Sequence, residues 1–268
     1  MYEGLQYEMS DGVGTITLDR PQYKNAIDIP MRSSLRELLR ALRQERELKV
    51  LVLTGAGGNF CSGGDLNALR NSAAAGEATA PGRRQRLVDL HDVVASLVEF
   101  DRPVIAAVEG VAYGAGLGLA MTADLVLAAD DARFCMAFGR LGAVADFGTF
   151  YTLPRLVGVQ RAKELLFSAR EFGAAEARAM GLVLETHPAS QVQERARAIA
   201  RCLAEASPVA LSITKRALNV SLRSDLQTML MLESDGQGVA MSTDYHTMAL
   251  QRFFDKKGPP FQWPAQRP

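Results

Sequence analysis

Residues 49–66 read KVLVLTGAGGNFCSGGDL, and residues 109–118 read EGVAYGAGLG. Each stretch puts a glycine-rich turn directly after an apolar run. Residues 49–54 run apolar and β-branched into Gly55, as a buried strand does, and residues 103–108 (PVIAAV) do the same before the second turn. The second turn opens a helix of small residues predicted over 114–123, and residues 125–129 (LVLAA) form a third apolar strand. Strands alternating with helices at these lengths define an α/β fold with parallel pairing. Small residues in both turns let the backbone approach a ligand closely and leave N–H groups pointing outward. They also suit tight connections that need positive φ. A dinucleotide fingerprint is excluded by spacing, because GxGxxG begun at Gly114-Ala115-Gly116 would need glycine at position 119, which is Leu119; GxxxxGK[ST] is absent as well.

Working outward, residues 1–19 predict a β-hairpin, with alternation over 13–18 (VGTITL) following Asp11-Gly12. Over 30–46, Met31, Leu35, Leu38, Leu39 and Leu42 share one helical face. Residues 71–85 lack a clear period and read as a mobile loop or frayed helix, with a helix following to about residue 100. Beyond Thr149 the signals are helical, over 161–168, 174–180, 191–206, 208–220 and 224–254. No Pro/Ser-rich linker sets off the last quarter, so a core of residues 1–200 and a helical region of residues 201–268 are expected to pack on each other or on a neighbouring subunit.

The composition is 48% hydrophobic and 22% charged, and 30 basic residues balance 30 acidic ones, which favours neither a nucleic-acid partner nor a membrane surface. No apolar run approaches the roughly 20 residues of a membrane-spanning helix. Cys61, Cys135 and Cys202 are widely spaced and form no zinc motif, so no metal is expected; they read as reduced thiols. The opening residues carry no basic segment leading into an apolar one, and a cytoplasmic location is expected.

Taken together and in order, these segments resemble the enoyl-CoA hydratase/isomerase (crotonase) family. The resemblance is carried by Asp19-Arg20-Pro21 with Asn25-Ala26, and by Val52-Leu53-Thr54-Gly55 through Gly63-Gly64-Asp65-Leu66. Arg102-Pro103-Val104, Gly110, Gly114-Ala115-Gly116 and Ala123-Asp124 continue it. Leu153-Pro154-Arg155-Leu156-Val157-Gly158, Ala174-Ala175-Glu176-Ala177, Gly181-Leu182-Val183 and Phe261 complete it over essentially the whole chain. The resemblance implies a spiral of ββα repeats with a helical C-terminal trimerisation region, an acyl-CoA thioester substrate, no cofactor beyond the CoA moiety, and a homotrimer or homohexamer. It also implies that the N–H groups of Gly64 and Ala115 are oxyanion donors. The adenine contact falls on the Ser62 carbonyl, with Lys24, Ala26, Asp65 and Leu66 along the CoA path.

Hydratases of this family use two glutamates. Here the corresponding positions are Gly118 and Phe138, neither of which carries a proton. Asp146, in LGAVADFG, resembles the Val-Pro-Asp-x-Gly segment of the family's isomerases, where an aspartate moves a proton between C2 and C4. One base suffices for isomerisation, and apolar neighbours raise a carboxylate toward a useful range. As a residue type alone, Asp146 also fits an N-cap for the helix starting near Thr149. His91 stands at the spacing of the catalytic histidine of 4-chlorobenzoyl-CoA dehalogenases, so a hydrolytic enzyme using Asp146 and His91 is an alternative. A non-catalytic acyl-CoA-binding protein is another. Asp65 is expected to fix its turn, Cys61 to be a core thiol, and His187 and His246 to be surface groups, while Lys256-Lys257 fits either a CoA phosphate or a solvated charge pair.

Overall fold

The computed structural model describes residues 2–74 and 79–265. Strands β1 (Leu5–Ser10) and β2 (Val13–Leu18) form the expected antiparallel hairpin. Helix α1 (Ile29–Gln44) buries Met31, Leu35, Leu38, Leu39 and Leu42, the face read from the sequence, and the Asp28 side chain caps it on the N–H of Met31. β3 (Val50–Gly55) is buried at every residue and pairs in parallel with β2.

Helices α2 (Leu66–Ala74) and α3 (Ala80–Val98) follow, then β4 (Val104–Val108), β5 (Val111–Tyr113), α4 (Ala115–Ala120), β6 (Leu125–Ala129) and β7 (Arg133–Cys135). Of the segment 71–85, expected as a mobile loop or frayed helix, residues 71–74 and 80–85 are helical, and 75–78 lie outside the described residues. Asp65 caps α2 and Thr79 caps α3, with Pro81 in the first turn of α3. The Ala-rich composition suits helix without an apolar stripe to announce it.

Helices α5 (Thr149–Val157) and α6 (Val159–Ser168) lead to β8 (Glu171–Gly173), α7 (Ala174–Ala179) and β9 (Glu185–His187). One sheet runs β1-β2-β3-β4-β6-β9, parallel beyond the first hairpin, and a second runs β5-β7-β8. β4 and β6 belong to the large sheet, and their immediate successors β5 and β7 to the small one, so each repeat lays one strand in each sheet and the chain coils. Two isolated parallel bridges, Ile27 with Gly64 and Cys61 with Ala112, carry the second ladder back through the earlier turns.

Helix α8 (Ala189–Ala204) lies across the large sheet and buries Val192, Ala196, Ile199, Ala200 and Leu203. The division expected after residue 200 falls inside this helix. α9 (Pro208–Ser221) follows, and the single helix expected over 224–254 is instead two, α10 (Leu226–Met241) and α11 (Asp244–Phe254). The break comes where Ser242 and Thr243 turn their hydroxyls back on Val239 and Ala240 carbonyls, and Thr243 then caps α11.

α9 is latched to the core by polar contacts. Lys215 Nζ donates to the Arg102 carbonyl (3.0 Å) and to Asp124 Oδ2 (2.7 Å), and Asn219 Nδ2 donates to the Val98 carbonyl (2.8 Å). Burial pushes the Asp124 carboxyl up and the Lys215 ammonium down, each opposed by attraction to the other. Lys215→Met leaves Asp124 without its counter-charge. The expected loss is about 2 kcal/mol in urea unfolding, below the roughly 3–5 kcal/mol of a fully buried pair because Asp124 keeps contact with water. Recovery of part of it by Asp124→Asn in that background would identify the stranded charge as the cause.

Candidate functional site

The site forms where the second ladder is reduced to single bridges. Ile27 N–H donates to the Gly63 carbonyl (2.8 Å) and Asp65 N–H to the Ile27 carbonyl (3.0 Å), so both bonds flank Gly64 and its own N–H faces the other way. Cys61 N–H donates to the Val111 carbonyl (2.9 Å) and Tyr113 N–H to the Cys61 carbonyl (3.0 Å), fixing the two glycine-rich turns side by side. Gly63, at φ +107°, lies so close to the second turn that a Cβ there would stand 2.9 Å from the Tyr113 carbonyl oxygen and 3.8 Å from the Ala115 nitrogen. Ala115 is the first residue of α4, where an N–H has no partner within the helix. Among the described residues neither the Gly64 nor the Ala115 N–H donates to a protein acceptor. Both residues line one cavity of about 90 Å³.

Asp146 lines the same cavity, so the structure brings Gly64, Ala115 and Asp146 together. The N-cap of α5 is Gly148, in the left-handed region and without a side-chain bond, and Thr149 N–H donates to the Asp146 backbone carbonyl (3.0 Å). Asp146 is half-buried between buried Ala145 and buried Phe147, with Oδ1 shut off from solvent. Phe147 adopts φ +52°, a conformation that costs a bulky residue about 1–3 kcal/mol and that the packing around it sustains. The turn seats Phe147 against α4. A Cβ built on Gly118 would lie 2.6 Å from the Phe147 Cβ and 3.2 Å from the Thr149 hydroxyl. The space a side chain at 118 would need is therefore filled. Phe138, at the position of the second glutamate, is half-buried against the core, its ring 3.8 Å from where a Gly114 Cβ would be.

His91 is exposed on α3 and is not among the cavity residues, although Leu87 and Leu90 of the same helix are. The residues expected along the CoA path form one edge. Lys24 is exposed and left-handed (φ +47°), its carbonyl accepts Ser62 N–H (2.9 Å), and Ser62 Oγ donates to the Tyr23 carbonyl (3.1 Å). Ala26 is buried, and Leu66, at the start of α2, is 56% exposed. Asp65 fixes its turn as expected: Oδ1 accepts Asn67 and Ala68 N–H, and Oδ2 meets Arg20. Burial would raise its carboxyl, but the Ala68 N–H, the Arg20 guanidinium and the Asn67 N–H hold it below the usual carboxylate range. Cys61 is a fully buried thiol, pushed up to about 12 by burial and unsuited to nucleophilic work.

His187 is not the surface group expected. It is half-buried, with Nε2 2.9 Å from Glu185 Oε2, and Arg195 grips that carboxylate through Nε and Nη2 at 2.8 and 3.0 Å. His246 is half-buried in the first turn of α11, whereas Lys256 and Lys257 are exposed. Asp28 and Arg32 also line the cavity, and Asn25 is a fully buried brace. The sequence signal for the first two is a polar pair four residues apart at the start of an amphipathic helix; for Asn25 it is its place in the N-terminal motif.

A family model described as enoyl-CoA hydratase/isomerase matches residues 8–264. The chain is 38% identical over 265 residues to a probable enoyl-CoA hydratase of Rhodobacter capsulatus, covering 97% of this chain and 98% of that one. It is 36% identical over 262 residues to the 1,2-epoxyphenylacetyl-CoA isomerase of Escherichia coli, covering 97% and 99%. The solved structure of an enoyl-CoA hydratase/isomerase from Cupriavidus metallidurans superposes with a TM-score of 0.93 at 42% identity, covering 100% of this chain and 99% of that one. The chain belongs to the enoyl-CoA hydratase/isomerase family and has the crotonase fold, which makes it an enzyme of acyl-CoA thioesters. The names of its relatives divide between hydratase and isomerase.

Proposed function

We propose that this enzyme moves a double bond within an acyl-CoA thioester, converting a 3-enoyl to a 2-enoyl compound or an equivalent pair. The observation that carries the reading is the single cavity shared by Gly64, Ala115 and Asp146. The thioester oxygen accepts the N–H groups of Gly64 and Ala115, and Asp146 removes a proton from C2. The C2–H electron pair then spreads over a dienolate whose oxygen carries the negative charge, and the protonated Asp146 returns its proton at C4, leaving the double bond between C2 and C3. Each donor lowers the barrier through charge that appears only in the enolate, worth about 10²- to 10³-fold in rate. No group beyond the substrate's own CoA is required.

Hydration is disfavoured because Gly118 and Phe138 hold no proton and Phe147 fills the space beside Gly118. Gly118→Glu is accordingly expected not to create a hydratase. It overpacks against Phe147 and Thr149, costing about 1–3 kcal/mol in thermal or urea unfolding, with no 3-hydroxyacyl-CoA formed. The hydrolytic alternative loses support from the exposed position of His91 outside the cavity lining. Incubation with 3-enoyl-, 2-enoyl- and 4-halobenzoyl-CoA separates the readings, since only migration interconverts the first two without releasing halide or free CoA. Binding of all three without conversion would leave the non-catalytic reading standing.

Self-association, as a homotrimer or homohexamer, belongs to the same proposal. No residue of α9, α10 or α11 is fully buried in the single chain, and Leu218, Leu222, Leu226, Phe253 and Phe254 are each at least 65% exposed. Apolar surface of that extent is a mark of an interface. Among the described residues no helix is long and apolar enough to cross a membrane.

A further inference from the structure

We infer that Arg20 is the positioning residue for the Gly64 donor, holding that N–H in register through Asp65; this rests on the donor role proposed for Gly64. Gly64 has little to hold it. It is exposed, and a Cβ built there would meet nothing within 4 Å, so packing does not define its orientation. What restrains it is the pair of bonds from Ile27 on either side and the anchoring of its neighbour Asp65.

Arg20 is the hub of that anchoring. Its guanidinium is 15% exposed, and Nη2 lies 3.1 Å from both Asp28 Oδ2 and Asp65 Oδ2, while Nη1 donates to the Ala26 carbonyl at 2.5 Å. The guanidinium carbon sits 4.6 Å from the centre of the Tyr23 ring. Its backbone is fixed as well: Arg20 N–H donates to Asn25 Oδ1 (2.9 Å), and Asn25 Nδ2 donates to the carbonyls of Ala56 (2.9 Å) and Asn59 (2.6 Å) in the first glycine-rich turn.

Asp28 caps α1 and Asp65 caps α2. One planar cation therefore clamps the N-caps of α1 and α2, two helices whose first turns border the cavity, and the peptide carrying the donor lies between the clamped residues. Lysine cannot reproduce this, since a single ammonium does not span two carboxylates and a carbonyl in a fixed plane.

The expected result for Arg20→Lys is a folded enzyme with KM within about threefold of the parent and kcat lower by about 10- to 100-fold, as for a donor displaced by a fraction of an ångström. A direct reading comes from butanoyl-CoA carrying ¹³C at the thioester carbonyl. Bound to the wild type, its infrared carbonyl band moves to lower frequency; bound to Arg20→Lys, at least half of that displacement is lost. Asp65→Asn offers a second route should Arg20→Lys not fold, because the amide keeps the cap on α2 while losing its charge toward Arg20, and it is expected to lose part of the displacement too. An unchanged band and kcat in either folded variant would overturn the inference. So would a rise in KM at constant kcat, which would assign Arg20 to CoA binding. No displacement in the wild type would instead overturn the donor role of Gly64 and Ala115, and this inference with it.

Discussion

Asp146→Asn is expected to lower double-bond migration by about 10²- to 10⁴-fold while leaving KM and the carbonyl band of bound butanoyl-CoA unchanged. The amide has the size of the carboxylate and cannot take up a proton. The cap of α5 survives the change, because Gly148 occupies the N-cap and Thr149 N–H donates to the Asp146 backbone carbonyl. The same substitution tests the proton route. In D₂O the wild type is expected to exchange the C2 protons of a saturated acyl-CoA, an enolate-forming step without migration, and Asp146→Asn to have lost the exchange in proportion to the migration. Migration at the wild-type rate in the variant would remove Asp146 from the chemistry.

Ala115→Pro is the complementary experiment, with an expected fall in kcat of about 10²- to 10³-fold. Proline is tolerated at the first position of a helix, where no intrahelical bond is lost. The restriction proline places on its predecessor falls here on Gly114, whose φ of 49° and ψ of −119° already lie outside the range of other residues. The substitution thus leaves the helix start intact, removes one N–H and turns the ring Cδ toward the place its proton pointed to. Unlike Asp146→Asn, it is expected to abolish most of the carbonyl displacement, and C2 exchange should fall with it. A variant that is folded, slow and spectroscopically unchanged would mean that the Ala115 N–H does not face the thioester oxygen.

The long elements were legible because each carries a pattern strong enough to outlast local ambiguity: the α1 stripe of Met31, Leu35, Leu38, Leu39 and Leu42, the four-residue apolar run that opens β3, and the wholly apolar β4. The second sheet was not. β5, β7 and β8 are three residues each, too short to display an alternation, and they are held by neighbours distant in sequence. The break at Ser242-Thr243 was hidden because apolar residues continue on both sides of it. At the site, the motifs located Gly64, Ala115 and Asp146, which share a cavity. They did not reveal that Phe147 fills the space beside Gly118, nor that Arg20 joins Asp28 to Asp65, since both depend on residues that meet only after the chain has coiled. His187 misled for the same reason: its partner Glu185 is two residues away, but Arg195, which completes the group, comes from the next helix.

The bridges of Ile27 to Gly64 and of Cys61 to Ala112 have a consequence for how such an enzyme can be re-engineered. They set the separation of the two N–H groups through strand spacing, which exchanges at 118, 138 and 146 leave alone, so that only the side chains bracing the turns, Arg20 among them, bear on it. The groups that would handle protons, by contrast, are borne on side chains at 118, 138 and 146, two of which are already empty of acid here. Grafting a different acid onto this frame is then a matter of clearing volume, with Phe147 the first obstacle, while the two N–H groups proposed to hold the thioester oxygen stay where the bridges put them.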